Sequence, residues 1–94
     1  MNENNSKLHN LVRDIREAEI KAAYYELFLK DKIDKINELG NKIHDLYQEK
    51  HRLISEGAID ENPMTTEEKV NMTRDVVYND KDLYYAIVVN HRSE

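Results

Sequence analysis

The side chains that offer chemistry are few, and their spacing speaks of assembly more than of catalysis. His44 and His51 stand seven residues apart, so on a helix they share one face. A helical metal site takes ligands at i, i+3 or i, i+4, as in the H-E-x-x-H pattern, and this pair does not fit. Cysteine is absent, which removes thiol nucleophiles, disulfides and cysteine-held zinc together. No spacing of titratable residues assembles a nucleophile with its base in one pocket. We therefore expect no catalytic residue, no metal and no cofactor.

Two other groupings point to binding. Lys32 and Lys50 fall at positions where the surrounding pattern calls for apolar side chains, and Arg52 follows closely. Such lysines either fix register or snorkel along a seam, and between chains they would form a cationic spot for an anionic small molecule or nucleotide. The second grouping is Tyr84-Tyr85, just after Asp80 and Asp82 in an acidic stretch. Acidic side chains steer a basic partner, and tyrosine rings supply interface energy once contact is made. The six tyrosines also serve packing, since a buried ring can keep its hydroxyl at a polar rim.

The elements that must carry these residues are helices. From Leu8 to Leu53 an apolar pattern recurs every seven residues. With Leu8 at position a, the a positions are Leu8, Ile15, Ala22, Leu29, Ile36, Ile43 and Lys50. The d positions are Leu11, Ala18, Tyr25, Lys32, Leu39, Leu46 and Leu53. Only the two lysines interrupt this seam, which is the signature of helices packed knobs into holes. The e positions Val12, Ile33, Tyr47 and Ile54 are also apolar or aromatic, so the stripe is wider than a two-stranded seam needs. Around Ile20 to Leu29 the helix is apolar nearly all round and must be covered on more than one side.

The same phase runs through Gly40, from Ile36 and Leu39 to Ile43 and Leu46, which predicts one continuous helix to about residue 56. The rival reading is a helical hairpin broken at Gly40, a residue suited to a helix C-cap. A continuous rod of roughly 70 Å, at 1.5 Å per residue, would need other chains to cover it. Gly57 marks the C-cap, residues 57–64 form a linker, and Asn62 before Pro63 favours extended backbone. Thr65 and Glu68 have the spacing of a capping box, opening an acidic helical segment over residues 65–94. Leu83 to Val89 reads as a last helix capped by Asp80 or Asp82, against a hairpin pairing Asp75–Tyr78 with Leu83–Val89.

Composition narrows the class. The chain has 94 residues and a net charge of −5, with −4 of it carried by Gly57 to Glu94, four Lys/Arg against eight Asp/Glu. That balance disfavours nucleic acid, which needs a Lys/Arg surplus. The longest uncharged run, Leu83 to Asn90, is too short to span a bilayer, and the first residues lack a secretion signal. The expected compartment is the cytoplasm, and richness in Lys, Asn, Ile and Glu suits a low-GC bacterium or its phage.

In length and helicity the chain resembles the small all-helical chorismate mutases. Those are intertwined dimers in which Arg and Lys side chains grip two carboxylates. The resemblance would hand that role to Arg13, Arg16, Lys30 and Arg52, but the family's Arg pattern and later glutamine have no counterpart here. The expected protein is an all-α, oligomeric bundle, at least a dimer, built on the seam Leu8, Leu11, Ile15, Leu29, Ile36, Leu39, Ile43, Leu46 and Leu53. Its expected function is a non-enzymatic adaptor or inhibitor that binds a larger protein through Tyr84, Tyr85, Asp80 and Asp82. The alternatives are an oligomer sequestering an anion through Lys32, Lys50 and Arg52, and a small helical enzyme.

Overall fold

A computed structural model describes residues 3–92, the last three as backbone alone. It holds four helices: α1 (Glu3–Phe28), α2 (Ile33–Ser55), α3 (Thr66–Asn79) and α4 (Lys81–Arg92). No strand occurs among the described residues, so Leu83 to Val89 is helical and the hairpin alternative is excluded.

The long helix breaks, and neither expected form of it is observed. The turn falls at Leu29–Lys32, where Leu29 N–H donates to Tyr25 O at 2.7 Å and Lys32 N–H to Leu29 O at 2.9 Å. Gly40 lies inside α2, and apart from its own helical turn nothing comes within 4 Å of where a Cβ would stand. Folding back at the turn lets one half of the seam cover the other within the chain. Leu8, Leu11 and Ile15 of α1 pack with Leu53 of α2, flanked by Leu46, Tyr47 and Val12. The break also takes Lys32 from a seam position to an exposed one, which spares its ammonium the cost of desolvation.

Local chemistry sets the remaining boundaries. α2 ends in a Schellman motif: Gly57 has φ +95°, its N–H donates to Ile54 O at 3.0 Å, and Ala58 N–H donates to Leu53 O at 3.0 Å. Ala58 and Leu53 both join the core cluster, the apolar contact that accompanies this motif. At α3, Glu68 N–H donates to Thr65 Oγ1 and Thr65 N–H donates back to Glu68 Oε1, both at 3.1 Å. These bonds with Thr65 hold the Glu68 carboxyl below its usual range. Asp80 separates α3 from α4 and caps the latter, accepting Leu83 N–H on Oδ1 at 3.1 Å.

α1 is the central helix. It packs against all three others, whereas α2 packs against α1 alone among the helices. Six of the buried apolar residues lie on it, including Ile20, which is off the seam. The loop after α2 is tied to its first turns: Ile59 N–H donates to Asn5 Oδ1 at 2.8 Å, and His9 Nδ1 lies 3.0 Å from Asp60 Oδ1. The result is a slab measuring 51 × 28 × 15 Å, whose thinness leaves much apolar surface in water. No helix among the described residues is long and apolar enough to cross a membrane.

Candidate interaction surface

The four residues expected to face a partner divide between two roles. Asp80 is engaged internally: Oδ1 caps α4, while Oδ2 accepts the Tyr25 hydroxyl at 3.0 Å and lies 3.7 Å from Lys21 Nζ. Its side chain is nearly buried. The Tyr25 phenol is pushed up to about 12, first by burial and then by its hydrogen bond to Asp80. Asp82, Tyr84 and Tyr85 remain exposed, Tyr85 at 71%. Tyr84 meets the edge of the Tyr78 ring on α3, with centroids 5.7 Å apart.

That contact leads to a cleft which the sequence did not reveal. Tyr24 and Phe28 of α1, Val70, Thr73, Arg74, Val77 and Tyr78 of α3, and Ile87 of α4 line a volume of about 580 Å³. Tyr24 and Phe28 stack on one wall at 6.1 Å between centroids. Val70 and Tyr78 on the other wall are 60% and 58% exposed. Leu27, which precedes Phe28 on α1, is 68% exposed. The available signal was the all-round apolar stretch from Ile20 to Leu29, whose outer side needed a cover that α3 and α4 supply only in part. Exposed apolar surface gathered into one concave face is what binding grooves present.

The expected anion residues do not converge. Lys32 is in the turn at the start of α2, and Lys50 is near that helix's other end, its Nζ 5.4 Å above the Tyr47 ring. Arg52 is held on the outer surface by Glu49 and Glu56, whose hydrogen bonds push its pKa up, and Arg52 in turn holds the Glu49 carboxyl below its usual range. Nor do the four cations suggested by the chorismate mutases share a cavity. Arg13 and Arg16 line different hollows on α1, Lys30 lies in the turn, and Arg52 lines neither.

The expected oligomer seam splits in the same way. Leu8, Leu11, Ile15 and Leu53 are buried against one another, with Leu46 packed on them. Leu29, Ile36, Leu39 and Ile43 are half-buried. His44 is exposed beside Gln48 and His51 beside Tyr47, and no group of metal-ligating residues occurs among the described residues. No protein family, curated protein or solved structure matches this chain.

Proposed function

We propose that the chain is a non-enzymatic protein–protein interaction module, a small self-associating adaptor or inhibitor of a larger partner. The observation that carries this reading is the aromatic cleft between α1, α3 and α4, with Tyr78 and Val70 open to water on its rim. The occupant that fits is an amphipathic helix whose apolar side carries basic flanks. A groove walled by helices receives a helix through anchors at i, i+3 and i+7. The basic flanks answer the segment that forms two of the walls, Gly57 to Glu94, which carries four Lys/Arg against eight Asp/Glu. Among the described residues, Arg74 is the one cation lining the cleft.

A labelled amphipathic Leu/Lys peptide, with a Leu/Glu twin as control, tests this by fluorescence anisotropy. The Leu/Lys peptide should bind the wild type and the twin should not. Val70→Asp with Tyr78→Ser should abolish binding, although the substitution adds a negative charge, with the circular dichroism spectrum unchanged. Equal binding by variant and wild type would reduce the attraction to charge alone and remove the cleft from the proposal.

Self-association belongs to the same proposal. α2 has one helical neighbour, and its Ile36, Leu39 and Ile43 stay half-buried with Ile33 exposed beside them. A second copy would complete that stripe.

A further inference from the structure

On a different face, three cations from three helices line one small cavity. Arg16 comes from α1, Lys50 from α2 and Lys69 from α3, around a volume of about 210 Å³. Two carboxylates also reach it, and both have partners. Glu19 accepts the Tyr47 hydroxyl at 2.9 Å, and Asp60 is bonded to His9 and, at 3.3 Å, to the backbone N–H of Asn62. Among the described residues, Arg16, Lys50 and Lys69 make no ion pair. Arg16 Nε is moreover buried without a hydrogen-bond partner, an N–H donor shut away from water with no acceptor.

We propose that this cavity binds a phosphoryl-type oxyanion, as free orthophosphate or as the head of a small phosphomonoester. An oxyanion there draws the Arg16 guanidinium toward it, a side-chain shift that gives the shut-away Nε–H an acceptor, and offsets the local excess of one positive charge. Guanidinium presents a planar fork of donors that matches phosphate oxygens, and two ammonium groups complete the charge. The size also discriminates, because the cavity is smaller than the roughly 300–1,000 Å³ that encloses a drug-sized ligand. It takes a phosphoryl group and leaves a larger substituent outside. Since its walls come from α1, α2 and α3, the bound ion joins three elements and raises thermal stability by mass action.

The test uses the whole chain at fixed ionic strength, with chloride exchanged for orthophosphate or for glycerol phosphate. In the wild type the melting temperature should rise saturably, and the Arg16 Nε–H signal in ¹⁵N-resolved NMR should shift along the same curve. Lys50→Gln and Lys69→Gln should each weaken binding at least about tenfold, the loss of one charge-assisted hydrogen bond. Lys42→Gln, a cation outside the cavity, should leave it unchanged. Equal response to both probes assigns recognition to the phosphoryl group itself, and response to orthophosphate alone assigns an enclosed anion; either upholds the site. The proposal fails if the Arg16 signal does not move, or if Lys50→Gln with Lys69→Gln retains the wild-type phosphate response.

Discussion

The Tyr25 hydroxyl donates a 3.0 Å hydrogen bond to Asp80, 55 residues further along the chain. Through that bond the middle helix grips the joint between the last two. Asp80 caps α4 with one oxygen and receives Tyr25 with the other, and Lys21 stands close by. One carboxylate thus fixes where α4 begins and how the α3–α4 arm lies on α1. The aromatic cleft is formed by these same three helices, so its shape depends on this contact.

Replacing Asp80 should therefore cost more than an ordinary cap. Asp80→Ala removes the α4 cap and leaves the Tyr25 hydroxyl buried without an acceptor, a loss of about 2–4 kcal/mol. Tyr25→Phe should cost about 1 kcal/mol, and the double variant less than the sum of the two. Urea denaturation of the four proteins measures that coupling. Strict additivity would mean that the bond contributes nothing to holding the arm.

The raised Tyr25 pKa sets an alkaline limit. In the unfolded chain the phenol ionises near its ordinary value of 10.0, and in the folded protein near 12. The folded state thus holds the proton more tightly, so stability falls as pH rises between those values. The contribution is full below pH 10 and is lost as pH climbs through the folded value, amounting to roughly 2–3 kcal/mol. Melting temperatures taken across that window should drop for the wild type and drop less for Tyr25→Phe. Parallel curves would show that Tyr25 is not the group responsible.

The two glycines should respond to alanine with opposite signs. Gly40 is inside α2 with open space around its Cα, so Gly40→Ala gains helix propensity of up to about 1 kcal/mol. Gly57 holds φ +95° in the Schellman turn, where a Cβ costs about 1–2 kcal/mol despite the open space around it. For a domain this size each kcal/mol moves the melting temperature by about 4–8 °C. Calorimetry should show Gly40→Ala melting above the wild type and Gly57→Ala below it.

What could be read from the sequence was whatever local chemistry decides. Thr65 with Glu68, Gly57 and Asp80 each act through groups a few residues away, so their helix ends were legible. The helical class followed from the apolar period. The turn at Leu29–Lys32 was not legible, because Lys30-Asp31 contains neither glycine nor proline. The heptad phase also passes from Leu29 through Lys32 to Ile36 as though the helix continued. A preserved phase is thus no proof of an unbroken helix, since tertiary closure of Leu8, Leu11 and Ile15 on Leu53 decided the matter. The cleft was hidden for a related reason: Tyr24, Val70 and Ile87 come from three helices and share no local pattern. Asp80 was visible as one of two candidate caps beside Asp82, but its engagement by Tyr25 was not.

Self-association makes the last prediction. α1 covers α2 from one side only, and Ile36 and Ile43 remain half-buried with Ile33 at 61% exposure. If a second copy covers that stripe, carboxylates placed there become desolvated at the contact, which costs several kcal/mol of association energy. Sedimentation equilibrium should give the wild type a mass above 11.2 kDa that grows with concentration. Ile36→Asp with Ile43→Asp should return it to the mass of one chain. Because these two side chains are already half-buried within the chain, Ile33→Asp provides the cleaner variant, exposed enough to spare the fold while still charging the contact. A folded Ile33→Asp protein sedimenting as one chain supports the assembly. A wild type that stays at 11.2 kDa at every concentration overturns it, while leaving the cleft to bind its helix as a monomer.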